Sequence, residues 1–106
     1  MKKLFAISVL ALATLSIGSA KTYEIILSGP SRAGSIDLKP GQYKLKVEGS
    51  NAIFTDVNSY KSYTTPVKIE TTEKKFDGTR VQSTKDGNVD KIEEIDLGGS
   101  KTKLGF

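Results

Sequence analysis

In Leu38-Lys39-Pro40-Gly41-Gln42-Tyr43-Lys44-Leu45-Lys46-Val47, every residue after the Pro-Gly pair alternates between polar and apolar. Tyr43, Leu45 and Val47 fall on one parity; Gln42, Lys44, Lys46 and, one step on, Glu48 fall on the other. Side chains of a strand point to opposite faces at successive positions, so this pattern predicts a strand with one face on a core and one in water. Pro40-Gly41 fits the two corner positions of a type II turn, because proline presets φ and glycine accepts φ > 0.

The same period runs outward in both directions. Upstream, Tyr23, Ile25 and Leu27 are spaced by two within Lys21–Ser28, which stops at Gly29-Pro30, and Ile36 and Leu38 alternate with Asp37 and Lys39. Downstream come the apolar run Ala52–Val57 and a long candidate, Lys61–Thr72, with Tyr63, Thr65, Val67, Ile69 and Thr71 on one parity. Pro66 lies on the other parity and pushes that segment toward an edge or a bulge. Thr79–Thr84 carries Val81 alone as a core residue, and Asp86-Gly87 reads as a hairpin pair. In Val89–Leu97, the spacing of Val89, Ile92 and Ile95 fits a helical face, whereas Ile95 and Leu97 fit a strand. A bulge near Glu93-Glu94 puts Ile92, Ile95 and Leu97 on one face, and this bulged strand is preferred because Gly98-Gly99 then turns into Thr102, Leu104 and Phe106. Seven or eight short strands with turns every 8–12 residues or so predict an all-β, small antiparallel sandwich.

The Leu-x-Pro-Gly turn feeding a strand with Tyr43 and alternating aliphatics resembles a motif of transthyretin-like and carboxypeptidase-regulatory-like β-sandwich domains, and of fibronectin-type modules. The resemblance covers about ten residues. It implies an Ig-like or transthyretin-like sandwich and carries no functional residues. The chain as a whole also resembles small secreted bacterial proteins that have no assigned activity. In such a sandwich Tyr43 is expected to form a tyrosine corner, ring in the core and hydroxyl bonded to backbone near the turn. Pro40, Gly41 and Tyr43 are therefore read as structural.

Residues 1–20 read differently. Lys2 and Lys3 precede the low-charge run Leu4–Ile17, which ends in Gly18-Ser19-Ala20. Basic start, apolar middle and small-residue exit are the parts of a secretory signal peptide. The run is 14 residues long, short of the roughly 20 that span a bilayer as a helix. Cleavage after Ala20 is expected, leaving one domain, residues 21–106, in the periplasm or the medium with no integral membrane segment.

Removing Lys2 and Lys3 from 16 basic residues leaves 14 against 12 acidic ones, a net charge of +2. Arg32 and Arg80 are the only arginines, and the lysines are interleaved with acids. Phosphate-backbone binding wants a concentrated basic face, so nucleic acid is not an expected partner. The chain has no Cys, His or Trp. That removes disulfides, Ser-His-Asp and Cys-His nucleophiles, and the ligands that usually hold zinc.

Four constellations are candidate sites. Asp86, Asn88 and Asp90 have the D-x-N-x-D spacing that opens calcium loops, but the sixth and twelfth positions are Lys91 and Leu97 instead of Gly and Glu. A hairpin turn beside a solvated acidic strand is the expectation there. Tyr60 and Tyr63 flank Lys61 and Ser62 next to a turn, where exposed aromatics stack on sugars or anchor protein contacts; the preferred reading has Tyr63 packing inward and Tyr60 capping the core edge. Glu93, Glu94 and Asp96 offer carboxylates for glycoside hydrolysis, yet neighbours on a strand face opposite ways. Phe106 ends the chain as in many outer-membrane barrels, although the strands carry too few apolar positions to face lipid. The expectation is a non-enzymatic, cofactor-free binding or structural module of the cell envelope, its partner another envelope protein or a polysaccharide. The alternatives are a carbohydrate- or divalent-ion-binding protein, or a small enzyme inhibitor.

Overall fold

The computed structural model describes residues 21–106, so the signal-peptide reading falls on residues outside those described. Ten strands follow in chain order: β1 (Thr22–Leu27), β2 (Ser31–Ala33), β3 (Ile36–Leu38), β4 (Gly41–Glu48), β5 (Asn51–Asp56), β6 (Ser62–Pro66), β7 (Lys68–Thr71), β8 (Arg80–Asp86), β9 (Val89–Asp96) and β10 (Thr102–Gly105). They form an all-β fold of two sheets. One is antiparallel in the order β1-β4-β5-β6. The other runs β3-β2-β9-β10-β7, with β8 also on β9. Strand β9 organises this second sheet. It carries β8 along one edge, while its other edge is shared by β2 beside Asp90–Ile92 and β10 beside Glu94–Asp96.

The alternation in β4 has its expected consequence. Tyr43 and Leu45 are buried with Ile25, Leu27, Ala52 and Phe54 of the same sheet, and they join Ala33, Ile92, Ile95 and Leu104 of the other in a single apolar cluster. Phe106 closes one margin of this cluster, its ring 6.1 Å from that of Phe54. Burying each large side chain contributes about 1.5–3 kcal/mol, and this interior is what joins the layers.

Each of the chain's three prolines stands where the chain changes sheets. Pro30 separates β1 from β2, Pro40 separates β3 from β4, and Pro66 ends β6 one residue before β7. A proline donates no backbone hydrogen bond, so the ladder it terminates is released to cross to the other layer. The predicted strand Lys61–Thr72 is accordingly two strands in different sheets, with the Val67 N–H turned back to the Ser50 carbonyl at 2.9 Å. The Pro40-Gly41 corner differs from the tight turn expected of it. Gly41 has φ of 146° and is already the first residue of β4, opposite Leu27. A hairpin corner joins strands that lie side by side, and β3 and β4 belong to different sheets.

Within Val89–Leu97, residues Val89–Asp96 are strand rather than helix, and Leu97 follows directly. Gln82 faces Glu94 but Ser83 faces Ile92, so Glu93 is the extra residue of a bulge, and Ile92, Ile95 and Leu97 are all buried. The hairpin between β8 and β9 turns one residue later than expected. Asp86 pairs with Val89, and the central pair is Gly87-Asn88, with φ of 68° at Gly87. A positive φ at the first central position only is the two-residue turn whose twist suits a hairpin. Strand β2 had no sequence signal, and it adds a parallel pair, with Ser31–Ala33 beside Asp90–Ile92, to an otherwise antiparallel set of ladders.

Candidate interaction surfaces

Tyr43 places its ring in the core and donates its hydroxyl to the Lys39 carbonyl at 2.6 Å. That bond ties β4 to the crossing just before it, and burial raises the hydroxyl's pKa above its ordinary value. Asp86, Asn88 and Asp90 sit on and beside the β8–β9 turn. Asp90 is turned to Lys85 Nζ at 2.9 Å, and among the described residues no three His, Cys, Asp or Glu side chains gather as metal ligands.

Tyr63 packs against the core margin, but Tyr60 does not cap it: Tyr60 is 82 % exposed. Tyr60 is also the only non-glycine with a positive φ, 63°, among the described residues. The loop that holds it is braced by Asp56, whose carboxylate accepts from the Asn58 and Ser59 amides at 2.8 and 3.3 Å. Those bonds, the Asn58 amide first, lower the Asp56 pKa. The Asp56 carbonyl accepts from the Tyr60 N–H at 2.8 Å, which fixes the tight return that demands the left-handed conformation.

Sequence reasoning named Asp96 only among the carboxylates of Glu93, Glu94 and Asp96, and missed its burial. The bulge at Glu93 sets Glu94 and Asp96 on the same outer face of β9, where the Gln82 amide donates to Glu94 Oε2 and Asp96 Oδ2, each at 3.1 Å. Lys103 Nζ lies 3.6 Å from Glu94 and 3.6 Å from Glu70, and Arg80 lies 3.9 Å from Asp96. The Asp96 side chain is buried and its Oδ1 has no hydrogen-bond partner. The Glu94 pKa is raised, first by the hydrogen bond between its carboxyl and that of Asp96, then by burial. A protonated Glu94 carboxyl can donate to its neighbour, whereas an ionised one is repelled by it, so the contact favours the neutral form of Glu94. The burial comes from residues 75–80, which with Asp96 line a hollow of about 420 Å³. This segment is pinned to the sheet by bonds from the Phe76 N–H to the Ser100 carbonyl and from the Gly98 N–H to Thr79 Oγ1. A Cβ on Gly98 would lie 2.6 Å from the Thr79 nitrogen, so only glycine admits this approach. The signal available in the sequence was an acid between two core residues, Ile95 and Leu97.

The sheet edges differ in how they are guarded. Strand β6 ends in Pro66, and the β2–β3 turn lies against it through the Ser35 N–H bond to Thr65 Oγ1 at 3.3 Å. Strand β3 is three residues long and β7 is four, with Lys68 and Glu70. Strand β8 carries Arg80, Lys85 and Asp86 and faces the bulge. Strand β1 carries one charge, Glu24, and neither proline nor bulge, and it exposes Ile26 at 76 %. Its free backbone groups can be assigned. The Val57 N–H donates to the Gln42 carbonyl, so Gln42 turns its polar backbone toward the β5 side. Alternation then aims Tyr43 at its partner Ile25, and leaves the N–H and C=O groups of Thr22, Glu24 and Ile26 pointing off the sheet. No protein-family model, curated protein or solved structure matches the chain.

Proposed function

We propose that this chain is an exported, non-enzymatic module of the cell envelope that makes its contact by backbone pairing along β1. The export half of the reading rests on the Met1–Ala20 pattern. The contact half rests on one observation: β1 is a six-residue edge with unpaired backbone groups, an exposed Ile26 and none of the devices that protect the other edges. Such edges are templates for an added strand, in which main-chain bonds supply affinity and alternate side chains supply selectivity. The absence of His and Cys supports a role without catalysis. The Glu94–Asp96 contact argues against glycoside hydrolysis alone, because glycosidase carboxyls stand about 5 Å or more apart with a sugar between them.

The test is a photo-crosslinking residue at position 26 of the full chain in cells that export it. A discrete adduct, lost when Glu24→Pro is added, is expected; no adduct at 26 alongside adducts from the same probe at Ser83 on β8 would overturn the reading. Amino-terminal sequencing of the exported product should begin at Lys21. A second reading, stacking of Tyr60 on a polysaccharide, is favoured by that ring's exposure on a braced, strained loop. Loss of pull-down by peptidoglycan or polysaccharide in Tyr60→Ala is its check.

A further inference from the structure

We propose that the strand received by β1 is β1 of a second copy of this chain, the two running antiparallel about a two-fold axis at Ile25. The inference rests on the edge reading above and names its partner. A two-fold contact is isologous, so the strand must be complementary to itself. Parity restricts the register, since inward-facing Tyr23, Ile25 and Leu27 must meet inward-facing residues if the apolar row is to continue across the junction. A register centred on Glu24 meets that condition but sets two carboxylates opposite one another, which is destabilising. The register centred on Ile25 sets Ile25 against Ile25, Tyr23 against Leu27, and each Glu24 against the partner's Ile26. It puts no like charges face to face.

The backbone agrees with this register. Glu24 and Ile26 are residues whose N–H and C=O groups point off the sheet, and across the axis they fall opposite one another as a hydrogen-bonded pair. Ile26 gains cover that it lacks in the single chain, where it is 76 % exposed. Glu24 keeps its neighbours Lys44 and Gln42 on the adjacent strand. Lys21 falls beyond the paired stretch, and Gly29-Pro30 ends the strand before a longer register can form. The four-stranded sheet becomes one continuous sheet across both copies, and the unguarded edge disappears.

Sedimentation velocity on the exported chain tests this. The wild type is expected to sediment as a dimer in the micromolar range. Glu24→Pro removes an N–H that serves only the free edge, and Ile26→Glu sets a carboxylate opposite the partner's Glu24 without touching the backbone. Either should halve the sedimenting mass while the far-ultraviolet circular dichroism and thermal midpoint stay those of a folded sandwich. A dimer that survives both substitutions overturns the proposal, because its interface is elsewhere. A wild-type monomer at 100-fold higher concentration overturns it too. In that case an adduct of position 26 with a different polypeptide leaves the edge reading standing, and no adduct at all removes both.

Discussion

Strands β1 and β8 are both outer strands of similar length, each paired on one side only, and they are held by different forces. Strand β1 buries Ile25 and Leu27 in the common core and shows water a nearly uncharged flank. Strand β8 buries nothing fully; Val81 alone is half-covered. It is held on β9 by backbone pairing and by polar cross-strand contacts: Gln82 to Glu94 and Asp96, Thr84 to Glu93, Lys85 to Asp90. An edge anchored by packing is free to leave its flank bare, whereas an edge anchored by charge is guarded by the same groups that anchor it. The contrast predicts that β1 fails on loss of volume and β8 on loss of polar partners.

The largest difference should come from matched truncations. Ile25→Ala opens a cavity in the core and is expected to cost about 2–5 kcal/mol, a large share of the roughly 5–15 kcal/mol that stabilises a typical domain. Val81→Ala should cost about 1 kcal/mol or less, since the site is partly open and collapses more easily. Urea titrations of the two variants measure both values, and equal midpoints would break the comparison. Next comes Gln82→Ala. Its amide is the donor shared by two carboxylates, one of them buried, and losing a donor to a buried acceptor costs about 1–3 kcal/mol. The loss should be accompanied by faster amide exchange at residues 75–80, which cover Asp96.

Legibility in the sequence divides along the same line. Packing by period was readable: Tyr43 and Leu45 on β4, Ile25 and Leu27 on β1, and even the bulge at Glu93, because three core residues at 92, 95 and 97 leave no other arrangement on a strand. What depends on distant segments was not. Nothing within Ser31-Arg32-Ala33 announces a parallel partner near Lys91. Asp96 has the parity of a wet residue, and only the return of residues 75–80 over that face buries it. Tyr60 sits in the five-residue loop between β5 and β6, whose return demands left-handed backbone whatever the residue type there. The three prolines were legible as strand ends, but not as the points where the chain changes layers, since a break looks the same whichever sheet the chain enters next.

Titration should separate the two sheets by sign. Glu94 has a raised pKa in the folded protein, so from its ordinary value of 4.5 upward the native state keeps a proton that the unfolded chain releases. Stability from this site is therefore full at low pH and lost as pH rises through the folded pKa. Asp56, in the other sheet's loop, has a lowered pKa and runs the opposite way; its stabilisation is present above the ordinary carboxylate range and lost as pH falls. Glu94→Gln keeps a donor toward Asp96 without titrating. Thermal midpoints across pH 4 to 8 should then lose their decline above 4.5, and at pH 7 the variant should be more stable than the wild type. A wild-type profile indistinguishable from that of the variant would mean that the Glu94 pKa is not raised in the folded protein.

The smallest effect belongs to the far end of β8. Lys85 lies 2.9 Å from Asp90, yet the lysine side chain is 80 % exposed, so water and salt screen most of the attraction. Lys85→Ala should cost about 0–1 kcal/mol, and the difference from wild type should vanish at molar salt. The Gln82 effect should persist there, because Asp96 is buried and its partner is a neutral amide. Comparing the two substitutions at low and high salt thus asks whether β8 is held by exposed charge along its whole length or by one buried carboxylate near its start. The geometry favours the second: the exposed pair beside the turn adds little to a hairpin whose turn already matches the strand twist. A large, salt-sensitive loss in Lys85→Ala would place the anchor of β8 at the turn and remove Asp96 from its central role.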